Sequence, residues 1–160
     1  MIFGIIHLLH CPSLIIFPFI THDFDILYMV YFLGIMFFYT FIHGECPISY
    51  FYKKWKNPDY IAGSRIHDYP EMQAIFGKRE IYIPYYFGIN TVLYIGSLIY
   101  VIDRNNIPFS FFCIPANSLV VYFYFLHFSR IHPLFYVLQD VVKTILFLFM
   151  LCLIRREIYV

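Results

Sequence analysis

Residues 26–55 read ILYMVYFLGIMFFYTFIHGECPISYFYKKW, an apolar run that stops at a polar joint. The run, 26–43, approaches the roughly 20 apolar residues that a helix needs to cross a bilayer. The joint then brings together chemically versatile side chains within a few positions, namely His43, Glu45, Cys46, Pro47 and Ser49. This change from apolar to polar sequence predicts a membrane helix that ends at the joint.

The composition extends that interpretation to the rest of the chain. Of its 160 residues, 61% are hydrophobic and only 13% are charged, whereas soluble domains are about half apolar and roughly a quarter charged. The surplus apolar surface has to face lipid, which predicts an integral membrane protein with the bilayer as its partner. A net charge of +1 argues against nucleic acid as a partner.

Five apolar segments are candidates for membrane spans, and together they predict a single membrane domain: 2–20, 26–43, 85–102, 107–128 and 134–154. Because every backbone polar group in lipid needs an internal partner, each span is expected to be helical. The predicted fold class is therefore all-α, a polytopic bundle of about five transmembrane helices. In a four-span alternative, the first segment, which contains Pro12 and Pro18, lies at the membrane interface.

The segment 44–84 is the long loop of this scheme, and it is too short for a hydrophobic core of its own. Its stretch SYFYKKWK, 49–56, places aromatic rings beside lysines, a pattern that settles at headgroup depth. We therefore expect a short interfacial helix after Cys46. Basic residues favour a cytoplasmic loop, since more of them lie on its side (Lys53, Lys54, Lys56, Arg65, Lys78, Arg79 and Arg130) than on the other (Arg104, Arg155 and Arg156).

The polar joint has a conformational interpretation that needs no chemistry. Pro47 fixes φ and lacks an N–H, and it pushes Cys46 away from helical geometry. The pair is therefore predicted to stop the preceding helix, and Ser49 is predicted to cap the next one. A minority interpretation gives His43, Glu45 and Cys46 a chemical role.

The joint also resembles a known sequence motif. Cys46, Pro47, Ile48 and Ser49 are similar to the Cys-Pro-Leu-Thr/Ser motif that follows the second helix in an uncharacterised family of small bacterial polytopic membrane proteins. A later turn of that family is matched by Tyr60, Gly63, Ser64 and Ile66. The resemblance covers about 30 residues and implies a topology and a membrane location, without a reaction. The chain departs from the pattern in lacking a Glu after the motif and in having three predicted spans afterwards.

Polar residues inside the spans are functional candidates, because such groups are costly in lipid. Asp140 and Lys143 lie three residues apart, on one helical face, and are predicted to form an ion pair. By helical rise, His7, Asn90 and Asp140 fall at one depth, which predicts a polar patch under the cytoplasmic surface. His10 lies one turn deeper than His7, and Asn117 lies near the middle of the fourth span.

These residues leave three interpretations open. In the first, hydrogen bonds and the Asp140–Lys143 pair hold the helices together. In the second, they line a proton or substrate path, as in a small transporter or a membrane enzyme that uses Asp140, Lys143 and the histidines. In the third, histidines such as His7 and His10 bind a metal or haem, although the sequence fixes no third ligand. The four cysteines form no CxxC pair, and no cofactor or metal is predicted.

The expected function is accordingly a structural or accessory one, a small multi-pass membrane protein that packs with itself or with a membrane partner rather than an enzyme. The residue usage adds an expectation about its setting. Phenylalanine and tyrosine number 20 and 16, while alanine occurs only at positions 62, 74 and 116. That bias is typical of an AT-rich genome, such as that of a large DNA virus or a protist, and it indicates a viral or organellar membrane.

Overall fold

The computed structural model describes residues 1–128 and 133–159, with side chains described for 1–126 and 135–156. The helices run in the order α1 (Ile2–Ile20), α2 (Asp25–Phe41), α3 (Pro47–Lys56), α4 (Pro70–Phe76), a 3₁₀ segment (Gly77–Tyr82), α5 (Ile83–Arg104), α6 (Phe109–Phe128) and α7 (Pro133–Tyr159). The described ranges contain no strand. The prediction of an all-α bundle is confirmed.

Five of these helices, α1, α2, α5, α6 and α7, lie where the five apolar segments lie in the sequence. Four of them are long and apolar enough to cross a membrane, with α5 continuing the helical segment that begins at Pro70. The shorter apolar helix is α2, with 17 residues. The first segment is one of the four long helices, and Pro12 and Pro18 lie inside its helical range.

The five apolar helices, α1, α2, α5, α6 and α7, alternate in direction. The contacts of a polar cluster at one end of the bundle show this order. The Arg104 guanidinium, at the end of α5, pairs with the Asp25 carboxylate at the start of α2. Its Nη atoms also donate to the carbonyl oxygens of Pro18, at 2.6 Å, and Thr21, at 3.0 Å. Arg156 of α7 donates to the Asn105 carbonyl at 3.0 Å. The α1–α2 turn, the α5–α6 turn and the end of α7 therefore lie together, opposite the 44–84 loop.

The apolar core is formed by α2, α6 and α7 together with the second half of α5, which contributes Leu98, Val101 and Ile102. Met29 of α2, Tyr122 of α6, and Val142 and Leu146 of α7 are fully buried. Large apolar side chains are exposed on the outer faces of α1, α2, α5, α6 and α7, as expected for helices surrounded by lipid. α1 belongs to a different part of the bundle, because it packs against α5, α4 and α3.

The polar joint differs in detail from its prediction. α2 ends at Phe41, two residues before the predicted end of the span, and His43 and Gly44 then take left-handed φ angles of 56° and 82°. The helix therefore stops before the Cys46–Pro47 pair, and Pro47 instead begins α3. A Cβ at Gly44 would overlap Leu126 of α6, so this turn packs directly against the bundle.

One close approach between helices uses a glycine near the start of the chain. A Cβ at Gly4 of α1 would overlap the Glu71 carbonyl oxygen of α4 and would lie 2.7 Å from Ile75 Cδ1. Gly88 and Gly96 of α5, by contrast, have open space where a Cβ would lie. The short helix α4 is thus seated on α1 at a position that only glycine fits.

Replacing Gly4 with alanine is expected to lower the melting temperature of the detergent-solubilised protein, because the added methyl group forces α4 away from α1. Overpacking of this kind costs about 1–3 kcal/mol. Gly88→Ala makes the same change in open space and is the matched control, expected to be neutral or slightly stabilising. Fluorescence-detected size-exclusion chromatography after heating measures both. Equal melting temperatures for the two variants would contradict the α1–α4 contact.

Candidate thiol–imidazole site

Three separate parts of the chain meet at the loop end of the bundle. His7 comes from α1, Cys46 from the polar joint, and Glu71 from the first turn of α4. Cys46 occupies the N-cap position of α3 with an extended backbone, and its side chain makes no capping hydrogen bond. The prediction that Ser49 caps this helix is wrong, because the Ser49 hydroxyl instead donates to Glu71.

The three side chains form a continuous polar chain. Cys46 Sγ lies 3.3 Å from His7 Nε2, and His7 Nδ1 lies 2.9 Å from Glu71 Oε1. The Ser49 hydroxyl donates to the same Oε1 at 2.5 Å. The exposed fractions are 0% for Glu71, 2% for His7 and 7% for Cys46. With His7 in the Nδ1–H tautomer, the carboxylate orients the imidazole and leaves Nε2 free to take a proton from the thiol.

The position of Cys46 favours its ionised form. Burial opposes ionisation of the thiol, but the hydrogen bond and charge of His7 outweigh that effect, with help from the backbone N–H groups of Ser49 and Ile48. The pKa of Cys46 therefore lies below its usual value. Thiolates are stabilised in this way at the N-terminus of a helix and beside an imidazole that has taken the thiol proton, and Cys46 lies at the start of α3 and 3.3 Å from His7 Nε2.

The thiol is also accessible, since it lies in the wall of a cavity of about 210 Å³. The cavity is enclosed by α1, α2 and α5, and the start of α3 closes one end beside Cys46 and Pro47. His7 and Asn90 line it, as does His10, whose Nε2 lies 2.7 Å from the Tyr31 hydroxyl. The Cys46 thiol therefore faces an internal space large enough for part of a small molecule or lipid.

A second buried acid holds the loop in place beside this site. Glu45, fully buried, accepts hydrogen bonds from Lys53 Nζ at 2.6 Å, the Tyr60 hydroxyl at 2.7 Å and the Gly63 N–H at 2.9 Å. Lys53 also donates to the Arg65 carbonyl at 2.6 Å. Because both charges are buried and fully engaged, these contacts fix the segment between α3 and α4. Glu45 is a neighbour of Cys46 in sequence but has a structural role.

Glu45→Ala is expected to loosen the loop strongly, because it leaves the Lys53 ammonium buried without its counter-charge, at a cost of about 3–5 kcal/mol. The measurement is the rate of tryptic cleavage of the purified protein within 44–84. Glu80→Ala, an acid-to-alanine change at an exposed position of the same loop, is the control and should leave that rate unchanged. Equal cleavage rates for both variants would show that Glu45 does not hold the loop.

Of the polar residues predicted inside the spans, some line the cavity and others lie away from it. The Asp140–Lys143 ion pair is present, with Lys143 Nζ and Asp140 Oδ1 3.1 Å apart, but the Asp140 side chain is 76% exposed. The predicted patch therefore forms only in part: His7 and Asn90 share the cavity, and Asp140 lies outside it. Asn117 is exposed on α6.

The polar residue of α7 that does point into the bundle is the neighbour of Asp140. Gln139 is buried and donates to the Thr40 carbonyl oxygen, and its Nε2 lies 3.2 Å from His43 Nδ1. His43 therefore belongs to the α2–α7 contact and not to the thiol site. Arg130, which contributes to the charge asymmetry, lies outside the described residues.

Sequence reasoning missed Glu71, which is the central residue of the site. It lies in DYPEM, 68–72, a stretch that reads only as turn material because Pro70 follows an aspartate and a tyrosine. Its partner His7 is 64 residues away along the chain. No local spacing links the two, so the contact emerges only from the fold. Among the described side chains, no group of three or more His, Cys, Asp or Glu residues is placed so that it could hold a metal ion.

The ionisation of Cys46 can be measured in a variant that keeps it as the single cysteine, with Cys11, Cys113 and Cys152 replaced by alanine. Because its pKa is lowered, reaction with a small methanethiosulfonate reagent should persist at pH values where an ordinary thiol has become unreactive. Adding His7→Gln should shift the profile to higher pH.

The reference for this measurement is a single exposed thiol, Ser64→Cys in the fully cysteine-free background. Ser64 lies in the same loop and is exposed. If the profile of Cys46 coincides with that of the reference thiol, or if His7→Gln leaves it in place, the pairing of Cys46 with His7 is contradicted.

The fold and the site together define the class of protein. It is a small membrane-embedded helical protein. Its described residues include four helices long and apolar enough to cross a bilayer, and a buried thiol–imidazole–carboxylate chain lies at one end. No family model, no curated protein and no solved structure matches this chain. The functional interpretation therefore depends on the geometry of the site.

Proposed function

We propose that this protein is a membrane-embedded acyl-transfer enzyme whose nucleophile is Cys46. The observation that carries the proposal is the chain from Cys46 Sγ through His7 to Glu71, with distances of 3.3 and 2.9 Å, opening on a cavity. A nucleophile, a base within reach and a third group that orients the base are the parts that covalent catalysis requires.

The chemical step uses these atoms directly. His7 Nε2 accepts the proton of the Cys46 thiol, and the sulfur attacks the carbonyl carbon of an ester or thioester. A carbon–sulfur bond to the enzyme forms, the bond to the leaving group breaks, and His7 returns the proton to that group. An acceptor hydroxyl, amine or water molecule then takes the acyl group from Cys46 by the reverse sequence of proton transfers.

The surroundings supply the electrostatic support. Glu71 and Ser49 keep the imidazole oriented, as the acid does in other nucleophile–histidine–acid sites. Pro47 has no N–H, so the first available backbone donors of α3 are those of Ile48 and Ser49. These donors and the helix dipole stabilise negative charge that develops at Cys46 or on the carbonyl oxygen.

The membrane setting places this site near one surface. The basic loop residues favour a cytoplasmic position for 44–84. One basic residue on each side is paired with an acid, Lys53 with Glu45 and Arg104 with Asp25. The site would then face acyl donors from the cytoplasm or the inner leaflet. The resemblance of Cys46–Ser49 to a motif of small bacterial membrane proteins supports the same topology.

A structural or accessory role is the second candidate, and a specific observation favours it. The Glu45–Lys53 pair joins two parts of the loop, and the Glu71–His7 pair joins the loop to α1. Such contacts are also expected of groups whose only role is to stabilise the fold. The two candidates differ in what they require of Cys46. A structural role needs only its small volume, whereas acyl transfer needs its sulfur.

The test is formation of a thioester on the protein reconstituted in nanodiscs and incubated with palmitoyl-coenzyme A. Intact-mass spectrometry should show one added acyl group, which neutral hydroxylamine removes. Cys46→Ala should abolish the adduct, and His7→Gln should slow its formation by about 100-fold or more. Cys152→Ala removes an exposed thiol on α7 and is the matched control.

The outcome separates the two candidates. If Cys46→Ala remains as stable as the native protein and no adduct forms on native Cys46 with coenzyme A thioesters or with phospholipid esters, the acyl-transfer proposal is wrong. The structural role then stands in its place.

A further inference from the structure

The walls of the cavity differ from the polar chain at its end. Beyond Cys46, apolar and aromatic side chains from three helices make up most of its lining, among them Leu14, Ile35, Met36 and Phe87. His7 and Leu14, which both line it, are separated along α1 by roughly 10 Å. The space is therefore a short apolar tunnel that begins at a nucleophilic sulfur.

The cavity lies beside a weakly packed seam. α1 packs against α5, α4 and α3, while α2 packs chiefly on α7. Side chains bridge the α1–α2 seam, with His10 bonded to Tyr31 at 2.7 Å and Phe17 stacked on Tyr28 at 6.4 Å between ring centroids. Tyr31 is 44% exposed although it lines the cavity, so this seam connects the cavity with the lipid-facing surface.

The far end of the cavity is less suited to an apolar group. Tyr94 is the lining residue farthest along α5 from Phe87, about 10 Å away by helical rise. Its hydroxyl is buried and has no hydrogen-bond partner among the described residues, while its ring packs against Phe32 at 4.9 Å. A methyl terminus placed against a buried, unpaired hydroxyl gains little. A chain that continues past the tunnel is directed sideways, through the seam and into the bilayer.

We infer that the group transferred through Cys46 is a fatty acyl chain, which enters from the bilayer through the α1–α2 seam and lies in the tunnel. This inference rests on the proposed function and adds the class of substrate. The carbonyl carbon lies at the sulfur, the first part of the chain fills the tunnel, and the remainder stays in lipid. Short acyl groups, which leave the tunnel empty, are poor substrates.

The experiment compares acetyl-, octanoyl- and palmitoyl-coenzyme A as donors for native protein and for Leu14→Trp, whose larger side chain fills the tunnel. Leu9→Trp is the matched control, because Leu9 is on the same helix with 59% exposure. Native protein and Leu9→Trp should form the octanoyl and palmitoyl adducts at least about tenfold faster than the acetyl adduct. Leu14→Trp should lose that preference, because the added indole occupies the space that the longer acyl chains need.

A second measurement keeps binding separate from chemistry. The protein with Cys46→Ala is irradiated with a photoreactive palmitic acid in nanodiscs, and the cross-linked residues are mapped by mass spectrometry. Labels on residues that line the tunnel, competed by unlabelled palmitate and reduced in Leu14→Trp, would show that the tunnel holds an acyl chain, whether or not a thioester forms.

The outcomes that overturn the inference are distinct from those that overturn the proposed function. If thioesters form at equal rates with all three donors, and Leu14→Trp does not change those rates, acyl transfer stands and the acyl tunnel is wrong. Cross-links in the tunnel without any thioester would remove acyl transfer and leave a fatty-acid-binding cavity. Absence of both tunnel cross-links and thioesters would remove both.

Discussion

A carboxylate with no exposed surface organises this molecule. Glu71 accepts hydrogen bonds from His7 and Ser49 on one oxygen, and an ionised acid can stay buried only while such partners remain. Those partners lie on α1 and α3, and Glu71 lies on α4, so the hydrogen bonds to Oε1 also fix three segments relative to one another. The absence of a side chain at Gly4 permits the same approach. The loop is folded for this reason, although it is too short to form a core.

The bundle is thereby divided into two parts with different physical bases. α2, α6 and α7 are joined by apolar packing around fully buried residues such as Met29 and Leu146. α1, the loop and the start of α5 are joined by ion pairs, hydrogen bonds and aromatic contacts. The cavity lies where these parts meet, because α1 and α2 are bridged by side chains and not closely packed. The Cys46 thiol lies in the wall of that space and is held by His7 of the polar part.

The sequence predicted the helices well and the site poorly, for physical reasons. Apolar runs report burial in lipid directly, so the long helices follow from composition alone. The Asp140–Lys143 pair was predictable because helical spacing determines it. Helical spacing could not predict which face of α7 points into the bundle. In the structure Gln139, and not Asp140, is buried. Glu71 was missed because its contacts join segments far apart along the chain, and such pairing depends on the packing of whole helices.

The central claim is that the buried contact between His7 and Glu71 docks the loop on α1. A double-mutant cycle tests it most directly, with His7→Phe, Glu71→Leu and the double variant compared by thermal unfolding in one detergent. Each single change leaves the remaining polar side chain buried without this partner, whereas the double change replaces both side chains with apolar groups. We predict that each single variant is strongly destabilised and that the double variant recovers much of the loss, with a coupling energy of about 2 kcal/mol or more. Strictly additive effects would contradict the contact and the site built on it.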